Sequence, residues 1–513
     1  MANKKFGLSK SKIAAFEQCP KRLWLHVHRA ELADIDDAAA AGFAAGNTIG
    51  AIACSLLPDG VMVKADPDLK AALRTTEQLI AEGHPGPIFE ATFSHDGVLV
   101  RIDILERDAS GGWAIREVKS STRAKDHHHG DLATQVWVAQ KAGVNVSAAA
   151  IRHIDSAFVL GQTNKFDGLF ADTELLDDIG GMVACRDDTI REARTTLAGP
   201  EPVVEIGGRC ASPYACEFTA YCNRDIPAGP DWPVDLLPYG GGRKWRAEGI
   251  EDLMTINATG LEGREANIVQ ATQSGRPYHD VEEARRVIDG WSYPRAWIDF
   301  ETIAFAAPRW VGTRPYQQIP FQFSVHLEEA DGSITHHEFL HLDGGDPRHA
   351  CAQALVAVVP AGATLVAYNA SFEKRVLEAL AAAVPTYADR VIGMAETIVD
   401  LLPVARQSWY HRDQRGSWSL KAVLPTIAPL DYAGLEVKDG GAAQAAYLEA
   451  IDLATTSERK LAIAAALRSY CERDTWAMVV MARALRVSKV AEEEHVASIN
   501  RVSRDGEQPF RHA

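Results

Sequence analysis

Three groups of residues in this chain of 513 have types and spacings that chemistry can use. In "VRIDILERDASGGWAIREVKSS", Asp103 is followed by Glu117 and Lys119. Strand alternation turns Glu117 and Lys119 to one face and Val118 to the other. Two carboxylates can hold a divalent cation that polarises a phosphate, while an ammonium orients or activates the attacking water; this is the equipment of phosphodiester hydrolysis. Oxygen ligands select Mg²⁺ or Mn²⁺ over zinc. Taken alone, the pattern also fits an exposed, salt-bridged strand face.

The second group is spread over the C-terminal half. "AWIDFET" sets Asp299 and Glu301 two apart on a strand, hence on one face. "AYNASFEKRVL" supplies Asn369, Phe372 and Glu373 at a strand-to-helix junction. "LRSYCERDTWAM" supplies Tyr470 and Asp474, neighbours on one helix face. Four carboxylates converging from these segments could hold two cations about 4 Å apart, with Tyr470 orienting a water. Asp400, in "ETIVDLL", reads as a structural carboxylate.

The third group is "RCASPYACEFTAYC", which carries Cys210, Cys216 and Cys222 with five residues in each gap. A tetrahedral iron or zinc site takes four ligands. Cys19, in "FEQCPKRLWL", sits at an expected helix end and is the candidate fourth. Cys54, Cys185, Cys351 and Cys471 lie in apolar or helical settings and read as small buried hydrophobes. Structural zinc favours shorter knuckles, so gaps of five point toward a 4Fe-4S cluster over zinc. Joining Cys19 to the later three closes a loop of about 190 residues, worth at most ~5 kcal/mol on the chain-entropy view.

The elements that must position these groups follow from periodicity. A helical segment over "SKSKIAAFEQCPKRLWLHVHR" and an Ala-rich helix over 36–56 precede strands in "GPIFEATFS", "GVLVRIDILER" and "WAIREVKSS", then a helix in "DLATQVWVAQKAGV". His127, His128 and His129 read as a solvated loop before that helix. The Pro- and Gly-rich stretch 225–244 marks a boundary, and its "GGGRK" lacks the phosphate-loop frame. A second series opens at "YPRAWIDFETIAF", with further strands in "PFQFSVHLEE", "THHEFLHL" and "ATLVAYNA" and helices at 346–358, 371–383, 443–453 and 458–483. The expectation is an α/β protein with a domain at 1–228, a helical linker at 229–290 and a domain at 291–513.

Composition sets the bounds. At 47% apolar and 24% charged the chain is in the ordinary globular range. The net charge of −16 argues against nucleic-acid binding over the whole surface, yet leaves room for a local basic groove. No apolar run is long enough to span a membrane, and the N-terminus has no apolar signal region, so a cytoplasmic address without a membrane partner is expected.

These motifs carry two resemblances. One N-terminal and three later cysteines around a D…E-x-K core resemble the iron–sulfur branch of RecB-like PD-(D/E)XK nucleases, restriction-endonuclease-like domains in which a cluster staples the fold. That likeness implies cluster ligation by Cys19, Cys210, Cys216 and Cys222. It further matches Gln135 of "DLATQVWVAQ" to the family's helical glutamine and Glu90 of "IFEATF" to its upstream acid. Asn47 stands where many relatives have a metal-binding histidine. The later segments are similar, in order, to the three motifs of DnaQ-like DEDD exonucleases, an RNase H-like fold, in the tyrosine subtype. Glu373 stands where that family usually has aspartate.

The whole resembles an uncharacterised bacterial family fusing the two domains. It implies a metal-dependent nuclease, most simply an exonuclease acting on DNA in repair or defence. The alternatives are an RNA exonuclease whose first domain only binds, or a non-catalytic iron–sulfur scaffold for nucleic acid. Arg314, Tyr316, Gln318 and Lys421 are of types that stack on bases or meet phosphates, and equally of types that cap and pack.

Overall fold

The computed structural model describes residues 7–34, 37–66 and 68–487, and of 37–45 the backbone alone. It is a mixed α/β protein whose described chain divides into two compact units, one of residues 1–227 with 305–317 and one of 228–304 with 318–513. Each is described by itself.

The first unit runs β1 (Leu8–Ser9), α1 (Lys10–Gln18), α2 (Pro20–His28), α3 (Asp37–Ser55), β2 (Val61–Met62), α4 (Leu69–Ala81), β3 (Ile88–His95), β4 (Val98–Arg107), β5 (Trp113–Lys119), α5 (Asp126–Lys141), β6 (Val146–Ile154), β7 (Phe170–Glu174), α6 (Gly180–Ala184), α7 (Arg186–Ala198) and α8 (Thr219–Asn223). Its seven-stranded sheet has the order β2-β3-β4-β5-β6-β7, with β1 pairing β4. β3, β4 and β5 are antiparallel neighbours and β5 runs parallel to β6, so α5 is the crossover that returns the chain. Ile102, Ile115, Leu132, Val136 and Ile151 are buried in one core between sheet and helices.

The helical segment expected near the N-terminus is two helices, and Cys19 lies at the end of the first, as expected. Cys19 is extended, at φ −162 and ψ 119, and Pro20 opens α2 at its first position. The proline ring disfavours helical backbone at the residue before it, so the break is written locally. The histidine run is also corrected: His127, His128 and His129 form the first turn of α5, and His128 is buried with its Nδ1 accepting from the Lys125 amide at 3.2 Å.

The second unit runs α9 (Gly242–Ala247), α10 (Gly263–Ser274), β8 (Tyr278–His279), α11 (Val281–Ile288), β9 (Arg295–Ile303), β10 (Ile319–Glu328), β11 (Ile334–Leu340), α12 (Arg348–Val358), β12 (Thr364–Ala367), α13 (Ser371–Ala383), α14 (Ala388–Thr397), β13 (Val399–Asp400), α15 (Leu401–Ser408), β14 (Trp409–Tyr410), α16 (Leu420–Ile427), α17 (Gly440–Ile451) and α18 (Ser457–Leu485). Its five-stranded sheet has the order β11-β10-β9-β12-β13. Central β9 is antiparallel to β10 and parallel to β12. Ile298, Phe300, Phe323, Leu365, Val376 and Leu380 belong to the core it shares with α12 and α13.

The stretch 229–290, read as a linker, packs within this unit. Gln273 Nε2 donates to the carbonyls of Leu253 and Ile256 at 2.9 and 2.8 Å, and the buried Arg295 guanidinium donates to those of Ile288 and Trp291 at 2.9 and 2.8 Å. Residues 305–317, by contrast, are part of the first unit, where the Leu160 amide donates to Thr313 O at 3.0 Å and Tyr316 Oη donates to Ser120 O. The four residues suggested for a strand groove are thus divided, Arg314 and Tyr316 in the first unit and Gln318 and Lys421 in the second.

Candidate functional site

In the second unit the sheet and a 29-residue helix, α18, bring the predicted acids together. Asp299 and Glu301 lie on β9 opposite Ser324 and Gln322 of β10. α18 crosses this face, tied down by Gln322 Nε2, which donates to Leu467 O at 2.9 Å. Carboxylate oxygens of Asp299, Glu301 and Asp474 lie within 4.8 Å of one another. Glu373, in the first turn of α13, joins them in lining a cavity of about 270 Å³ with Thr302, Gln318, Phe372, Gln444 and Tyr470. Glu301, Glu373 and Asp474 are only 6, 4 and 8 % exposed. Among the described residues no lysine or arginine forms an ion pair with any of the four acids, and Glu373 Oε2 is buried without a hydrogen-bond partner.

Burial and mutual repulsion set the electrostatics. Asp299 is raised well above the ordinary value by burial and then by Asp474, Glu301 and Glu373. Glu301 is pushed up to about 8 by burial and Asp474, against a pull from Lys421. Glu373 is pushed up to about 8, chiefly by burial. Bound cations would reverse each of these shifts, and the orphaned Glu373 oxygen supplies the free donor such a site needs. The residues fit Mg²⁺ or Mn²⁺.

Of the neighbours of these acids, Tyr432 is not evident in the sequence, whereas Lys421 is named there for a strand groove and Cys471 as a buried hydrophobe. Tyr432 Oη donates to Asp474 Oδ1 at 2.5 Å, and Lys421 Nζ donates to Tyr470 Oη at 3.0 Å. Cys471 lies under Asp299, its Sγ 3.8 Å from Oδ2. Tyr432 sits in a loop with no periodicity to flag it. Asp400 does what a structural carboxylate does: its Oδ1 accepts from the amides of Leu402, capping α15, and of Asn369, each at 2.9 Å.

The first unit gathers its own set differently. Glu117 is 2 % exposed and is surrounded by donors: Gln135 Nε2 at 2.5 Å, Lys119 Nζ at 2.9 Å and Lys10 Nζ at 2.5 Å. Lys119 also pairs with Asp131 at 2.9 Å. Burial would raise the Glu117 carboxyl, yet Lys10 and Lys119 outweigh it and hold it below the ordinary range. Asp103 accepts from the Val118 amide at 2.7 Å and is pushed up to about 7 by burial and by Glu117. Glu90 falls between the β3–β4 pairs at φ +56, close enough to add to the rise at Asp103, and it pairs with Arg101 at 3.0 Å. Asn47, on α3, is exposed.

Lys10 and Asp131 were absent from the sequence reading. Asp131 could have been found, since it precedes Gln135 by one helical turn. Lys10 is 107 positions from its partner and carried no local signal.

The four predicted cysteines line one cavity with Lys21, Arg22 and Phe218. Of the other four, Cys351 and Cys471 are buried as expected, whereas Cys54 is half-buried and Cys185 is exposed. Cys19 sits at the α1–α2 elbow, whose flanking side chains clasp the later segment. Gln18 Nε2 donates to the carbonyls of Arg209 and Tyr214, both at 2.7 Å, and Glu217 accepts from Arg22 at 2.9 Å and pairs with His26 at 2.6 Å. A tetrahedral zinc with ~2.3 Å bonds holds its sulfurs ~3.8 Å apart. Among the described residues, the trios of ligand atoms within 4.8 Å of one another include no cysteines.

Residues 296–419 match a family described as a domain of unknown function, DUF2779. That match runs from β9 to Ser419, the N-cap of α16, so it takes in Asp299, Glu301 and Glu373 and stops short of Tyr470 and Asp474. No curated protein matches the sequence. A solved structure described as "Crystal structure of SSO0001" is similar at 17 % identity and a TM-score of 0.23, over 44 % of this chain and 90 % of that one, a likeness too slight to bear on the fold.

Proposed function

We propose that the protein is a metal-dependent nuclease whose phosphodiester hydrolysis takes place in the second unit. The observation that carries this reading is the burial of Glu301, Glu373 and Asp474, with Asp299 half-buried beside them, around one cavity without a paired cation among the described residues. A structural cluster of four like charges would be costly to bury. Bound Mg²⁺ or Mn²⁺ supplies charge compensation and Lewis acidity toward a phosphate.

The chain's own residues would do the rest. Asp299 and Asp474, held from strand and helix, fix the cation positions, and Glu301 and Glu373 complete the oxygen set. Tyr470, aligned by Lys421, orients the attacking water from the cavity wall. The place of Asp299 and Glu301 on the central strand of a mixed sheet, with Asp474 on the late helix that crosses it, supports an RNase H-like, DnaQ-type assignment for this unit. Antiparallel strands with a crossover helix bearing Gln135 support the PD-(D/E)XK assignment for the first.

DNA is the proposed substrate, on the family likeness. In the first unit Lys10 occupies the carboxylate that a cation would need, which favours a strand-binding role there over cleavage. The cysteine cavity is proposed to hold a 4Fe-4S cluster that staples residues 209–222 to α1 and α2.

The test is an anaerobic assay of end-labelled DNA and RNA with Mg²⁺ or Mn²⁺, comparing wild type with Asp299→Asn and Lys119→Ala. Metal-dependent cleavage abolished by Asp299→Asn and retained by Lys119→Ala is the expected result. Cleavage of neither polymer would leave the scaffold reading, and faster cleavage of RNA would overturn the substrate.

A further inference from the structure

A second cluster of ligand-type side chains lies on the same sheet, on the other flank of α18. His326 of β10 and His336 of β11 are direct partners in the antiparallel register. Cross-strand partners project to one face with Cβ atoms ~5 Å apart, and these two rings stack with centroids 4.7 Å apart. Glu472 of α18 covers them. One nitrogen of each ring and a Glu472 oxygen lie within 4.8 Å of one another.

We propose that His326, His336 and Glu472 form a separate binding site for a divalent transition ion of the zinc class. The other nitrogen of each ring is already engaged: His326 Nδ1 with Thr475 Oγ1 at 2.8 Å, and His336 Nε2 with Ser324 Oγ at 2.9 Å. Ser324 Oγ and Thr475 Oγ1 are themselves 2.7 Å apart, so one hydroxyl pair orients both rings. Such outer hydrogen bonds fix the ring orientation of ligating histidines. They leave His326 Nε2 and His336 Nδ1 for the ion, and His336 Nδ1 is already 3.8 Å from Glu472 Oε1.

Two imidazoles and one carboxylate select zinc, cobalt or nickel over magnesium, with a water completing the coordination. Metal bonds of ~2.0–2.1 Å require ligand atoms ~3.3 Å apart, a closure that the half-exposed Glu472 side chain can supply.

The placement gives the ion a consequence. Arg468 and Glu472 face β11, where Arg468 pairs with Glu338 at 2.8 Å, whereas Tyr470 and Asp474 face the carboxylate cavity. An ion at the histidines pins the outer flank of α18 to the sheet within one helical turn of both Asp474 and Thr475. It is a positioning device, and it stands independently of whether the cavity hydrolyses phosphodiesters.

Full-length protein, purified without oxygen and held in excess Mg²⁺ to fill the carboxylate cavity, is titrated with Co²⁺ as an optical probe. The expected result is one equivalent with the visible bands of a nitrogen- and oxygen-ligated ion and no thiolate charge-transfer band. His336→Ala and Glu472→Ala each weaken binding at least tenfold, whereas Asp299→Asn and His337→Ala, at the next position along β11, retain it. Glu472 is exposed, so its variant carries the test should the histidine variant fail to fold. Absence of a stoichiometric equivalent, a thiolate signature, or affinity unchanged in Glu472→Ala overturns the site.

Discussion

Lys10 Nζ lies 2.5 Å from Glu117 Oε1, so an ammonium from the first helix of the unit takes the place beside the carboxylate that the sequence assigned to a divalent ion. Lys119 reaches the same oxygen at 2.9 Å. Two ammoniums and a glutamine amide thus meet on the one Glu117 carboxylate.

The first prediction follows from that pairing. At an effective dielectric of 20, charges 4 Å apart interact by ~4 kcal/mol, so removing the Lys10 charge should strengthen cation binding at Glu117 and Asp103 by about tenfold or more. Mn²⁺ binding by magnetic resonance, in an Asp299→Asn background that disables the second cavity, should show this for Lys10→Met. Unchanged affinity would mean that Lys10 does not gate the site.

A second prediction concerns pH. Glu301 and Glu373, each pushed up to about 8, bind protons more readily folded than unfolded. Their contribution to stability in metal-free protein is complete below the ordinary value near 4.5 and is lost as pH rises to about 8. In EDTA, the melting temperature of the second unit should therefore fall between pH 5 and pH 8. Mg²⁺ competes with those protons, so its stabilisation should grow over the same range. At a hundred times Kd it is worth ~2.7 kcal/mol, a rise of about 5–10 °C. The double variant Glu301→Gln, Glu373→Gln should flatten both slopes, as followed by calorimetry.

The fate of these residues separates what the sequence could tell from what it could not. Asp299 with Glu301, and Tyr470 with Asp474, were legible because strand and helix periods bring each pair to one face. Their convergence depends on α18 crossing β9, which the late helix only hinted at. Lys10, Tyr432 and the His326–His336 pair were not legible. The first two meet their acids through tertiary folding alone, and the histidines needed the β10–β11 register. The break at Cys19 was written in Pro20, whereas the place of 305–317 in the first unit left no compositional trace. Residues 229–290 read as a linker because their helices are short; Gln273 and Arg295, which bind them in place, look unremarkable in one dimension.

A third prediction tests the aromatic wall of the cavity. Lys421 donates to Tyr470 Oη, and burial together with Asp474 and Glu301 raises the phenol well above its ordinary value. Tyr470 is therefore neutral at working pH, the state that the proposed water-orienting role requires. Tyr470→Phe should lower kcat by about 10²-fold or more with little change in KM, the range for loss of a positioned proton-transfer or water-orienting group. Mg²⁺-dependent stabilisation should persist, because no acid is removed. Loss of that stabilisation would instead make Tyr470 part of the cation site.

The last prediction concerns the cysteine cavity. Cys19 lies at an elbow set by Pro20, and the segment 209–222 has little regular structure of its own beyond the five-residue α8. Gln18, Arg22 and His26 tether it from α1 and α2. These are part-exposed contacts, each worth about 1 kcal/mol or less. Ligation through Cys19 would add up to ~5 kcal/mol by closing a loop of about 190 residues. Cys19→Ser, expressed and purified without oxygen, should lose the brown colour and most of its iron, and the first unit should melt earlier and yield to protease within 201–227. Cys185→Ser, at an exposed cysteine away from the cavity, should keep both colour and stability. A Cys19→Ser protein with full iron content would remove Cys19 from the ligand set, and a wild-type protein holding one zinc and no iron would replace the cluster with a single ion.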